Sequence, residues 1–247
     1  REWPPVWWIS SWGNQLAGEY QEGLQFAREG RQKFPDYLVL WRLEARALAA
    51  LERMSDFDSI LDEIQTVAPG QPEHEGGTFS PGSVFGALSV DLSRMAHSER
   101  ARHLAERSYD WFLNTSDDAY RQELGEALLL TGRNEEAREH FRALLEEAPD
   151  SLAAHGAHGV ALARIGDREG AEAEAGWLLD LDRPYLRGVN TLWRARIMAQ
   201  LDEKDAAMEL IHQALSEGRL YYFLHSDPYF TALWGYEPFE QRLAPRG

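Results

Sequence analysis

Cysteine is absent from the 247 residues, which excludes a disulfide framework, a thiol nucleophile and a thiolate metal site while leaving the compartment open. Positive charge is short: 25 Lys plus Arg stand against 41 Asp plus Glu, a formal net charge of −16. Such a surface repels phosphate backbones and anionic lipid, so neither nucleic acid nor a membrane surface is an expected partner. No apolar run approaches the roughly 20 residues that cross a bilayer, and no signal peptide is visible, so this segment is not expected to insert in a membrane. Also missing are the phosphate loop GxxxxGK[ST], a GxGxxG after a strand, a GxSxG elbow and an HExxH zinc motif. Glutamate runs such as Glu135-Glu136 and Glu146-Glu147 fit solvated helix ends, and nothing calls for the pocket that a catalytic carboxylate pair needs. The chain is therefore expected to be no enzyme, with no catalytic residues and no cofactor. It opens on Arg1 rather than Met and reads as a processed chain or a piece of something longer.

What the chain has in quantity is a repeat. Gly125 and Gly159, Gly132 and Gly166, and Ala137 and Ala171 are each 34 residues apart. A small residue at Gly125 or Gly159, inside the first helix of a pair, lets the second helix of that pair approach closely. Gly132 and Gly166 stop that helix in the left-handed conformation. Asn134 and Asp167 are placed to cap the second helix, with Glu135, Glu136 and Glu169 at the positive end of its dipole. Pro149 and Pro184 close the units, since proline cannot continue a helix. Between these marks, Leu124, Leu128 and Leu129, then Ala137, Phe141, Leu144 and Leu145, fall at helical spacing. Each pair has too wide an apolar face to bury alone, so pairs must stack.

The frame extends in both directions. Trp7 and Trp41 are 34 apart, as are Pro35 and Pro69. Repeats are expected at about 4–35, 38–69, 82–113, 118–149, 152–183 and 188–219, an array over 1–219. Gly18 takes the turn of the first, whereas the second must turn with Glu52. A loop is expected over 70–81, within the Gly- and Pro-rich stretch 70–83, either as a tolerated insertion or as a functional loop. Residues 220–247 hold Tyr221, Tyr222, Phe223, Tyr229, Phe230, Trp234, Tyr236 and Phe239, rings suited to sealing the last pair. Ser226 or Asp227 before Pro228 reads as a helix cap, and Pro238 as the start of a second short helix. Trp3, Trp7, Trp8 and Trp12 form a second aromatic end, one that an upstream segment or a second copy of the molecule would cover, making a homo-oligomer through the aromatic ends an expected alternative.

Residues 4–219 resemble the tetratricopeptide repeat superfamily, the fourth and fifth repeats most clearly. The stretches RLEARALAAL (42–51), LDRPYLRGVNTLWRARIMAQL (181–201) and LHSDPYFTALWGYEPFEQRL (224–243) are similar to the C-terminal repeat region of large bacterial signalling proteins. There it follows a kinase, winged-helix or propeller-like domain. The resemblance implies an all-α, right-handed superhelix of about six helix pairs with a short C-terminal cap, a bacterial origin, and a scaffold or sensory role with a protein or peptide partner. It also implies that the fifth, ninth, twelfth and thirteenth positions of each first helix line a concave groove. On this chain those positions include Trp8, Trp12, Gln15, Arg42, Arg46, Ser93, Arg94, Gln122, Glu126, Leu129, Arg164, Leu192, Arg196 and Gln200.

Two readings of the groove arginines follow. Either they receive an acidic or C-terminal peptide, with Trp8 and Trp12 as an aromatic platform, or they neutralise acids on adjacent helices. The first predicts that replacing Arg42 and Arg46 by Glu leaves folding nearly unchanged. The lysine and asparagine clamp of chaperone-binding relatives is missing, because those positions read Arg42 and Arg46, or Gln122 and Glu126. His155 and His158, three apart on one helix face, could ligate a metal in a metal-dependent enzyme, but they also occupy ordinary packing positions and lack a third ligand; no metal site is expected.

Overall fold

A computed structural model describes residues 3–68, 80–115 and 118–244. All regular structure among the described residues is helical, and the chain divides after Thr115 into two compact units. The first unit holds α1 (Pro4–Leu16), α2 (Tyr20–Lys33), α3 (Leu38–Ala50), α4 (Met54–Ile64), α5 (Pro81–Arg94) and α6 (Ser98–Asn114). The centre of this unit is α3, whose sequence LVLWRLEARALAA buries 10 of its 13 residues. A helix buried on nearly all sides must be covered on nearly all sides, and α3 packs on α1, α2, α4 and α5. Leu48, Phe57, Ile64, Phe85, Leu88 and Leu104 meet there, each worth about 1.5–3 kcal/mol of burial.

The expected loop ends at Ser80, whose Oγ accepts from the Ser83 backbone N–H at 3.1 Å and so caps α5, with Pro81 in its first turn. Residues 81–83 thus belong to the helix, while Pro69 and 70–79 lie outside the described residues.

The second unit starts with a 3-10 turn (Asp118–Tyr120) and continues with α7 (Arg121–Leu130), α8 (Asn134–Glu147), α9 (Leu152–Arg164), α10 (Arg168–Leu179), α11 (Val189–Gln200) and α12 (Lys204–Ser216). Two 3-10 turns (Tyr221–Ser226 and Pro228–Leu233) and α13 (Glu237–Leu243) follow. Gly125 and Gly159 are tight spots: a Cβ would stand 2.5 Å from the Phe141 ring at the first and 2.5 Å from Ile197 at the second. Phe230, Leu233, Phe239 and Leu243 pack on Leu192, Ala195, Ile211 and Ala214, so the C-terminal rings cover the α11–α12 pair. The side chains of Tyr222 and Phe223 lie outside the described ones.

One backbone device closes each described hairpin. Gly18, Glu52, Ala96, Gly132, Gly166 and Asp202 all have positive φ, between 56° and 86°. The next residue's N–H then reaches the carbonyl five positions back, as in Arg53 to Leu48 at 2.9 Å and Glu203 to Met198 at 3.0 Å. This is the Schellman closure, which satisfies carbonyls that the helix end leaves open. Ala96 and Asp202 fill the turn in the third and sixth pairs, where no glycine announces it. Asp167 caps α10 as expected, its Oδ1 accepting from Gly170 N at 3.0 Å. Asn134 does not cap α8: Arg133 stands in register with Asp167 and takes the capping position, which puts Asn134 one residue inside the helix.

Candidate binding face

In the first unit the groove positions of α1, α3 and α5 turn toward one another and close. Arg42 donates from Nε and Nη2 to Asp91 Oδ2 at 3.2 and 3.1 Å, and Arg46 Nε lies 3.4 Å from Asp91 Oδ1. Both guanidinium groups also lie on one indole, with Arg42 Cζ 5.1 Å and Arg46 Cζ 5.0 Å from the Trp12 ring. Gln15 locks the arrangement: its Oε1 accepts from Arg46 Nη1 at 2.7 Å, and its Nε2 donates to the Leu43 carbonyl at 2.9 Å. Trp12, Gln15, Arg46 and Asp91 are all buried. Trp12 is thus the floor under two cations rather than an open aromatic platform, while Trp8 and Arg94 are half-buried and Ser93 is exposed.

A second group repeats the motif, with Glu44 between Arg28 Nε at 2.8 Å and Arg31 Nε at 2.7 Å. A carboxylate shared by two guanidinium groups offsets its own desolvation only as a complete set, and removing one partner of a buried pair costs about 3–5 kcal/mol. The expectation that Arg42 and Arg46 could become Glu without harm to folding is therefore overturned: three carboxylates would crowd where one now sits.

In the second unit α7, α9, α11 and the C-terminal cap are joined by a ladder of polar side chains. Arg164 Nη1 donates to the Leu129 carbonyl at 2.8 Å and its Nε to Gln200 Oε1 at 2.8 Å. Gln200 Nε2 in turn donates to the Tyr229 carbonyl at 2.6 Å. Arg196 gives both Nε and Nη2 to Asp227 Oδ2, at 2.9 and 2.7 Å, above the Trp193 ring. Asp227 also accepts from Tyr229 N at 3.0 Å, so the aspartate that caps the 3-10 turn is the one that engages the arginine. Gln122, Glu126, Arg164, Arg196 and Gln200 are half-buried, whereas Leu129 and Leu192 belong to the core.

The electrostatics of this face are uneven. Arg164 has no carboxylate partner among the described residues, and burial lowers its pKa. Glu126 accepts from Gln122 Nε2 at 3.1 Å and makes no ion pair among the described residues. Burial pushes its carboxyl up to about 7, with Glu123 and Asp227 adding to the rise and Gln122 and Arg196 opposing it.

His155 and His158 share one side of α9 but serve a single carboxylate. Glu174 Oε2 lies 2.5 Å from His155 Nδ1, and Glu174 Oε1 lies 2.7 Å from His158 Nδ1. His155 Nε2 contacts the Pro149 carbonyl at 2.8 Å, and its ring stacks on Trp177 at 3.5 Å. No group of three or more metal-capable side chains is found among the described residues. Burial lowers the His155 pKa, yet Glu174 and the Pro149 carbonyl outweigh it and the net shift is upward. Burial raises the Glu174 carboxyl, but both imidazoles bring it below its ordinary value.

Sequence reasoning missed Asp91 and Asp227, the two acids that take the groove arginines. Neither lies at an expected groove position, and no spacing rule links Arg42 to a residue 49 positions away.

The described hairpins are tetratricopeptide-like in their pairing, and the 34-residue step separates the turn at Gly18 from that at Glu52 and the turn at Gly132 from that at Gly166. No protein-family model matches the chain, and no curated sequence does either. A tetratricopeptide repeat protein from Parabacteroides merdae, known from a crystal structure, is similar over 97% of each chain at 13% identity and a TM-score of 0.38.

Proposed function

We propose that this chain is a non-enzymatic protein-interaction module that presents the first-helix faces of its hairpins to a protein or peptide segment. The supporting observation is the polar face of the second unit, where half-buried side chains from α7, α9 and α11 line up across three successive hairpins. A polar, half-open face at positions that could have been apolar is better suited to docking than to core packing. The acidic-peptide form of this reading draws less support, because a partner carboxylate would have to displace Asp91 or Asp227 from its arginines. A partner purified and bound directly should slow amide hydrogen exchange on α7, α9 and α11 and leave α8, α10 and α12 unchanged. Protection confined to the second helices would sink the reading.

Self-association is a second reading. It is favoured by α1, which carries no charged residue and exposes Val6 and Ile9 at 53% and 51%, with Trp3 just before it exposed at 64%. Light scattering separates the two.

A further inference from the structure

Helix α1 is laid out for a close neighbour that the described residues do not supply. Glycine weakens a helix interior relative to alanine, so a helical glycine ordinarily marks a place where a side chain would not fit. That account holds at Gly30, where a Cβ would stand 2.7 Å from Trp7 Cβ, and at Gly156, where it would stand 2.2 Å from the Trp193 ring. It fails at Gly13, where a Cβ would meet nothing within 4 Å. Gly176 is equally open, but its helix carries Arg168, Glu169 and Glu172, whereas α1, alone among the described α-helices, has no charged residue.

Gly13 sits in an apolar face. Val6 and Ile9 are half exposed, Gly13 and Ala17 are exposed, and Leu16 is half-buried. These five positions fall within about 100° of arc around the helix axis, so they form one continuous strip. Trp12 is buried and Trp7 lies against Phe26 at 6.3 Å between ring centroids, so the strip is aliphatic rather than aromatic.

Resting on the self-association reading above, we infer that this strip pairs with the same strip of a second copy, the two α1 helices crossing antiparallel about a two-fold axis. The strip is its own complement. A two-fold axis at the level of Ser11 sets Ile9 of each copy into the gap at Gly13 of the other and Val6 against Leu16, which is the isologous contact of a symmetric dimer. A charged partner segment would find no group of opposite sign on α1. A copy of this chain, with its net charge of −16, meets the least repulsion there. One helix face covers less than the roughly 800 Å² per partner of a standard interface, so the dimer is weak, with Kd on the order of 10–500 μM. No ion pair crosses it, and salt that screens the overall repulsion tightens it.

The test is sedimentation equilibrium of the whole chain from about 10 μM to 1 mM, at low and high salt. Gly13→Leu is the deciding variant. On a surface that is only apolar, the added leucine enlarges the patch and strengthens association. In the pairing it fills the gap that receives Ile9 and weakens association about tenfold or more. Ile9→Ala should weaken it too, and the double variant Ile9→Ala with Gly13→Leu, which exchanges knob and gap, should return to within about threefold of the parent. At a concentration where the chain is monomeric, Gly13→Ala should raise the melting midpoint by about 1–3 °C, because the glycine serves no contact within one copy. A lowered midpoint would place the need for glycine inside the single copy and overturn the pairing. Association strengthened by Gly13→Leu, indifferent to both single variants, or weakened by salt would overturn the pairing and leave self-association standing. A monomer at every concentration and salt would overturn both.

Discussion

At the scale of single residues, chemistry in this chain is decided by who shares a carboxylate. Asp91 holds two arginines and Glu44 holds two more, whereas Glu174 holds two histidines. The Glu174 clip has a definite pH window. His155 has its pKa raised, so its contribution is complete below the ordinary imidazole value and fades as pH rises through the folded value. Glu174 has its pKa lowered, so its contribution is complete above the ordinary carboxyl value and fades as pH falls through the folded value. Both are in force together between about pH 4.5 and 6.5. Glu174→Gln should therefore cost about 1–2 kcal/mol near pH 5.5 and distinctly less at pH 3 and pH 8 in urea melts. A loss independent of pH would show that Glu174 acts by packing alone. The proximity of His155 and His158 was legible from their three-residue spacing, but the carboxylate between them was not, because it comes from the next helix, 16 and 19 positions on.

At the scale of the helical hairpin, the turn is the part most fully written in the chain. A left-handed residue is needed wherever a first helix gives way to a second, and glycine marks three of the six described turns. Glu52, Ala96 and Asp202 adopt the same conformation against a side-chain penalty of about 1–2 kcal/mol, smaller for aspartate. Glycine there relieves that strain, although it adds freedom to the unfolded chain worth about 0.4–1 kcal/mol. Ala96→Gly should thus raise stability by roughly 0.5–1 kcal/mol in thermal or denaturant unfolding. Gly166→Ala should lower it by a similar amount. A destabilising Ala96→Gly would mean that the turn is not under the strain its φ of 65° implies. Asn134 shows the limit of reading caps from residue type, since a shift of one position moved it off the cap and left its Oδ1 buried without a partner.

At the scale of the whole molecule, an acidic chain with a net charge of −16 meets a copy of itself at an electrostatic disadvantage everywhere except where charge is missing. Helix α1 is such a place. Under the self-association reading, scattering mass should double with rising concentration, and Ile9→Glu should restore the monomer. A single monomer mass over the whole range would retire that reading. The sequence by itself determined the all-helical class, the 34-residue step of its clearest repeats, and the left-handed turn at Gly18, Gly132 and Gly166. These follow from backbone sterics and apolar periodicity, which act over a few residues. Tertiary structure alone decided that Arg42 and Arg46 turn to Asp91 and Arg196 to Asp227, and left the Tyr229 hydroxyl without a hydrogen-bond partner among the described residues. Ion pairing follows distance in space and the loss of water around a charge, and neither quantity is set until the helices have packed.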